Sequence, residues 1–136
     1  MFCGIVDGSV AADLVFDDEI VVAFLDRSPL FVGHTLVIPR SHVATLADLA
    51  AAEVGPFWRR VQHLSAEIPR VLGAEGTFVA NNNVVSQTVP HLHVHVVPRR
   101  KGDGLRGFFW PRMKYADGES SATAARLRDR ITPVPG

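Results

Sequence analysis

The stretch HLHVHVV, residues 91–97, sets three histidines on alternate positions and fills the gaps with aliphatic residues. In an extended chain successive side chains point to opposite faces, so His91, His93 and His95 share one face while Leu92, Val94 and Val96 share the other. A rise of about 3.3 Å per residue starts neighbouring imidazoles roughly 6.6 Å apart at the backbone, close enough for the rings to converge on one small group. The aliphatic face predicts a strand held in a core. The imidazole face predicts a site, because clustered rings repel one another once charged and packing alone gives no reason to collect them.

Working outward from that stretch, pattern reading gives four more strands. They are DLVFD (13–17), IVVAFL (20–25), TLVI (35–38, stopped by Pro39) and TFVA (77–80). Between the third and fourth lies a helical segment of about 25 residues. Thr45 and Asp48 have the spacing of a capping box, and Val54, Phe57, Val61, Leu64 and Ile68 recur at intervals of three and four. Gly55-Pro56 is expected to divide this segment into a short piece and a longer one, with Pro69 and Gly73 ending it. A second helix is predicted over 122–131, capped by Ser120 or Ser121, with a frayed tail beyond about residue 131. No repeat or linker interrupts the chain, so residues 1–136 are expected to form one α+β domain with a largely antiparallel five-stranded sheet. One long helix covers one sheet face and leaves the other for a site or a partner.

Composition narrows the function. Apolar residues make up 47% and charged residues 21%, a soluble globular balance. Lysine plus arginine equals aspartate plus glutamate at 14 each, which argues against a protein built to coat nucleic acid or an anionic membrane. No apolar run approaches the roughly 20 residues that span a bilayer. Cys3 is the one cysteine, so no disulfide closes within the chain, and no basic segment precedes an apolar run near the start. A cytoplasmic protein is expected.

Three aligned imidazoles suit two chemistries. Imidazole is a common metal ligand, and a His-x-His pair on a strand can chelate. Imidazole also attacks phosphorus, giving a phosphohistidine that water cleaves, while flanking rings hold its tautomer or donate to the phosphoryl oxygens. A hydrolytic metal centre normally has a carboxylate base close by. Val89, Pro90, Pro98 and Arg99 flank the stretch without one, which favours phosphorus chemistry.

With those residues in view, the sequence resembles the histidine triad (HIT) superfamily, whose signature is His-x-His-x-His followed by two hydrophobic residues. HLHVHVV matches every position, FLDRSPLFVGHTLVIPRSH (24–42) resembles the family's second and third strands, and SQTVPHLHVHVVPR (86–99) its catalytic end. The resemblance implies a HIT-like fold that forms a homodimer, and hydrolysis or transfer of a nucleoside monophosphate carried on a leaving group. It implies that His93 is the nucleophile, that His91 orients it, and that His95 donates to the phosphate or the bridging atom. Asp26 matches the ribose-binding acid, whose carboxylate can accept from both sugar hydroxyls. Phe2, Ile5 and Phe24 match the base pocket, Gln87 and Thr88 the phosphate contacts, and Asn81 the asparagine ahead of that loop. The implied partner is a nucleotide substrate, expected to be a purine one, with no nucleic acid and no membrane.

The chain departs from the family pattern in three places. NNNVVSQT (81–88) lacks the glycines that let backbone N–H groups approach a phosphate. Some branches bind zinc through Cys-x-x-Cys and two histidines matching His42 and His91; Cys3 matches the second cysteine and the first has no match, so no metal and no cofactor is expected. Within GLRGFFWPRMKY (104–115), Trp110 lies near where relatives place an aromatic cap. Two competing readings remain: a nucleotide-binding regulatory module with little turnover, and a metallohydrolase using His42, His91 and His93. His34 and His63 read as a strand-end residue and a solvated one, Trp58 as core, and Arg99, Arg100 and Lys101 as cations able to steer an anionic substrate.

Overall fold

A computed structural model describes residues 1–105 and 113–135, which fall into two compact units divided after Asp103. The first begins with a short helix α1 (Phe2–Asp7), followed by β1 (Leu14–Asp17), β2 (Val21–Leu25) and β3 (Thr35–Pro39). A single 3-10 turn at Leu46–Asp48 leads into α2 (Ala51–Leu72), and β4 (Gly76–Ala80) and β5 (Val94–Arg99) complete the unit. The five strands form one antiparallel sheet in the order β1-β2-β3-β5-β4. The second unit carries α3 (Glu119–Arg130), which has no buried residue.

The sheet sorts its side chains by parity. Val21, Ala23, Val37, Leu92, Val94 and Val96 pack with Phe57, Val61, Leu64 and Ile68 of α2 in one cluster. Val22, Phe24, Leu36 and Ile38 pack on the opposite face with Phe2 of α1. The long helix therefore covers one face, and the histidines occupy the other beside a helix of only six residues. That division places the site.

Several boundaries differ from the expectations. Strand β5 begins at Val94, so His91 and His93 precede it rather than lying within the ladder. Continuing the β3–β5 register from Val37↔Val94 would set Leu92 opposite Pro39, which has no N–H to give. The Leu92 N–H goes to the Val43 carbonyl instead, and the Pro39 carbonyl accepts from the His91 ring. The chain stays extended there, and the alternation of faces survives.

Gly55-Pro56 does not divide α2. Pro56 sits near the helix start, where it removes a single hydrogen bond, and the buried stripe from Phe57 to Ile68 holds the helix continuous. Val54, expected on that stripe, is largely exposed. Thr45 does bond Asp48 through both its N–H and its hydroxyl, but the pair closes the 3-10 turn rather than α2. Helix α3 starts earlier than expected: Gly118 is its N-cap, the Ala116 N–H reaches the Glu119 carboxylate, and Ser120 and Ser121 lie inside the first turn. Trp58 packs against the α2 core cluster, and exposed His63 rests edge-on against Phe16.

Candidate active site

A cleft of about 400 Å³ opens on the histidine face. Phe2 and Ile5 from α1, Phe24 and Asp26 from β2 and its end, and Thr88, His93 and His95 from the catalytic segment all line it. Its size falls within the range of small-molecule sites, and its walls combine apolar rings with few polar groups. Phe2 anchors that wall, meeting Phe24 edge-on at 5.3 Å between centroids and His93 at 5.2 Å.

The proton on each triad ring is fixed by what the ring touches. His93 Nδ1 lies 2.7 Å from the His91 carbonyl, which can only accept, so Nδ1 carries hydrogen and Nε2 carries the lone pair. His91 Nε2 lies 3.1 Å from the Pro39 carbonyl, so its lone pair is on Nδ1. His95 Nδ1 meets His34 Nε2 at 2.9 Å. The Leu30 N–H donates to His34 Nδ1 at 3.0 Å, which places the His34 proton on Nε2 and makes it the donor to His95. His95 is left with an Nε2–H. The rings of His93 and His95 stand 5.2 Å apart, one offering a lone pair and the other a donor.

His34, by sequence pattern a strand-end residue able to border the site, contacts His95 and Asp26. It is buried, and the Leu36↔His95 register brings it diagonally beside His95 on the same sheet face. Asp26 Oδ2 lies 3.6 Å from His34 Nε2, and Asp26 Oδ1 accepts the Ser28 N–H, which holds the carboxylate at the cleft wall. Burial lowers the His34 pKa, against a smaller opposing pull from Asp26. His95 is pushed down to about 4, mainly by burial and then by His34 and His93, with Asp26 opposing. His91 is likewise lowered, burial leading and the Pro39 hydrogen bond opposing. At neutral pH, His34, His91 and His95 are uncharged.

The remaining expected contacts divide. Asn81 sits behind the triad, donating Nδ2–H to the His93 carbonyl at 2.9 Å, with its Oδ1 buried and unpartnered among the described residues. Gln87 does not line the cleft: its amide bonds the Ala44 carbonyl and accepts the Val84 N–H, bracing the loop. In that glycine-free loop Val84 and Ser86 adopt positive φ of 70° and 60°, so the left-handed backbone is kept although its residues disfavour it. Arg99 is paired with Asp103 and Arg100 bonds the Leu72 carbonyl, which commits two of the three proposed steering cations at the far end of β5. Trp110 lies outside the described residues.

A second cluster forms on the other side of His91. Cys3 Sγ, His42 Nδ1 and His91 Nδ1 approach one another at 3.3, 3.7 and 3.2 Å. His93 is not among these donors, which removes it from the metal-binding trio considered above. The expected absence of metal rested on an incomplete ligand set, yet the three donors present do converge. Tetrahedral zinc, with bonds of about 2.0–2.1 Å to nitrogen and about 2.3 Å to sulfur, requires N···N near 3.3 Å and N···S near 3.6 Å. The donors fit. Asp26, His34 and His95 also lie within reach of one another, but there the facing nitrogens share the proton just assigned.

The profile of the HIT domain matches residues 7–102. The chain belongs to the HIT family. It is 40% identical to an uncharacterized HIT-like protein of Methanocaldococcus jannaschii over 76% of this chain and 81% of that one. The adenosine 5'-monophosphoramidase hnt1 of Schizosaccharomyces pombe is 29% identical over 96% of this chain and 97% of its own length. Among solved structures, a zinc-bound histidine triad family protein from Mycobacterium smegmatis superposes with a TM-score of 0.73 at 35% identity, covering 96% of both chains. At the level of the family, the HIT chain stands among nucleotide hydrolases.

Proposed function

We propose that the chain hydrolyses a nucleoside monophosphate from its leaving group, in an adenosine phosphoramidate or dinucleoside polyphosphate, through a covalent nucleotidyl-histidine. The observation that carries this reading is the pairing of a lone-pair nitrogen on His93 with a donor on His95 at the floor of a cleft walled by Phe2 and Phe24. The apolar rings suit a purine, and the Asp26 carboxylate on the cleft wall is able to accept from ribose hydroxyls.

His93 Nε2 attacks the α-phosphorus; the N–P bond forms as the bond to the leaving atom breaks. His95 is uncharged near neutrality, so it contributes a hydrogen bond from Nε2 to the bridging atom rather than a whole proton. The leaving group takes its proton from solvent at the open mouth of the cleft. Water then attacks phosphorus, the N–P bond breaks, the monophosphate departs and the proton returns to solvent. His91 holds His93 through its carbonyl, and Asn81 holds the carbonyl of His93 itself. A zinc ion held by Cys3, His42 and His91 would supply a structural tie next to this machinery.

The test is His93→Ala assayed with an adenosine phosphoramidate and a diadenosine polyphosphate. Turnover falls by at least three orders of magnitude, and the acid-labile nucleotide adduct trapped on the wild-type protein disappears. Retained turnover or a retained adduct would refute the role of His93; tight binding of adenosine monophosphate with negligible wild-type turnover would favour the regulatory module. The reading carries with it a homodimer in the cytoplasm; the dimer is supported by exposed Val79 on β4, the last strand of the sheet among the described residues, and is tested by light scattering on the eluted protein.

A further inference from the structure

We infer that the ribose hydroxyls of the substrate set the proton on His95 through Asp26 and His34, so that the chain selects ribonucleotides at the chemical step as well as in binding. The coupling presupposes the nucleotide substrate proposed for the cleft, and it makes His34 a positioning residue that the substrate does not touch.

One proton has two acceptors in reach. The Leu30 N–H occupies His34 Nδ1 at 3.0 Å, so the His34 proton sits on Nε2. From there His95 Nδ1 is 2.9 Å away and Asp26 Oδ2 is 3.6 Å away. The backbone holds this triangle together: the Asp26 N–H donates to the His34 carbonyl at 2.9 Å, just beyond the Leu25↔Thr35 pair that ends the β2–β3 ladder. The Ser28 N–H binds Asp26 Oδ1, which leaves Oδ2 to face His34. Asp26 and His95 both line the cleft, whereas His34, 4% exposed, is absent from the lining and sits behind them.

The two acceptors compete. A carboxylate takes a stronger hydrogen bond than a neutral ring nitrogen, so an Asp26 with no other donor on Oδ2 draws the His34 proton toward itself. His95 Nδ1 then loses its donor, and the ring no longer has to keep hydrogen on Nε2, the nitrogen that serves the bridging atom. Ribose hydroxyls donating to Oδ2 satisfy the carboxylate. The His34 proton is then committed to His95 Nδ1, and the Nε2–H of His95 stands ready beside the lone pair of His93. A nucleotide lacking those hydroxyls is held by its base and phosphate alone and meets a His95 whose donor is not fixed. Discrimination therefore appears in the rate at saturation. An acid that only gripped the sugar would change affinity and leave that rate alone.

An adenosine phosphoramidate and its 2′,3′-dideoxy counterpart are compared at saturation, read as the burst of leaving group that reports attack by His93. Wild type is slower on the dideoxy substrate by about tenfold, the worth of one fixed hydrogen bond to developing charge. Asp26→Asn removes the charge that competes for the His34 proton, and His34→Phe removes the proton; each brings the two burst rates to within about twofold of one another. Imidazole nitrogen shifts give a second readout. In the free wild-type protein His95 shows a share of the Nδ1–H tautomer; adenosine monophosphate drives it to Nε2–H, and 2′,3′-dideoxyadenosine monophosphate does not. Equal wild-type burst rates on the two substrates, or a gap that survives in both variants, overturns the coupling. If wild type gives no burst with either substrate, the hydrolase reading fails on its own, and the free protein still decides the coupling: Asp26→Asn moves His95 toward Nε2–H, and an unmoved His95 overturns it.

Discussion

Replacing His34 by phenylalanine tests whether the proton on His95 is set from behind. The change keeps an aromatic ring of similar bulk in a buried position but removes the donor 2.9 Å from His95 Nδ1 and the acceptor for the Leu30 N–H. Leu30 is half exposed and its N–H can turn to water, so the main structural cost is one buried acceptor on His95, about 1–2 kcal/mol. The catalytic cost is separate. Without a donor at Nδ1, His95 no longer has to keep its proton on Nε2, and the hydrogen bond to the bridging atom loses its preorganisation. A hydrogen bond to developing charge is worth about 1.5–3 kcal/mol, which at 1.36 kcal/mol per decade predicts a fall in kcat of roughly 10- to 100-fold. Two readouts separate this from a general loosening. Imidazole nitrogen shifts show His95 populating the Nδ1–H tautomer, and its titration midpoint rises, because His34 is among the groups that depress it. His34→Gln, whose amide can donate to the same nitrogen, recovers part of the rate. A folded His34→Phe protein with kcat within about threefold of wild type and an unmoved His95 titration would refute the relay.

Two further outcomes are expected. Val84→Gly leaves stability unchanged or raises it by up to about 1 kcal/mol in chemical denaturation, because relief of a left-handed valine offsets the entropy glycine adds to the unfolded chain; a loss above about 1 kcal/mol would contradict the strained loop. Stability should also fall with acid between about pH 6.5 and 4, since the unfolded His95 ring protonates near its ordinary value and the folded one only at about 4. The ring is partly open to solvent, so its share is on the order of 1–2 kcal/mol after screening, and urea titrations of His95→Asn should show a correspondingly flatter slope over that window.

Much of this was legible in local pattern. The alternation at 91–97 foretold that Leu92, Val94 and Val96 meet α2 while His93 and His95 face the cleft, and the stripe from Phe57 to Ile68 foretold the covering helix. What escaped depends on tertiary partners. Helix α1 has one buried residue and a glycine at its centre, so no periodicity announces it. The late start of β5 follows from Pro39 lying opposite Leu92, a pairing visible only once the register is known. His34 escaped for the same reason: a polar residue after glycine reads as a strand end, and only the Leu36↔His95 pairing shows that it shares the histidine face. The loop at 81–88 was recognised as abnormal from its missing glycines, but only the backbone angles show that the left-handed turns persist without them.

The proton positions in this site are set mainly by backbone atoms. The His91 carbonyl fixes His93, the Pro39 carbonyl fixes His91, and the Leu30 N–H fixes His34 and through it His95. Side-chain substitution cannot delete these groups; only a change in local register or backbone path can. That makes the site sensitive to features that look purely structural. Gly33 illustrates this: it immediately precedes His34, has a φ of 97°, and a Cβ there would lie 2.3 Å from Leu72 Cδ1. The proton on His95 is therefore tied to a turn outside the cleft lining, and the lone pair on His93 to the main chain two residues before it.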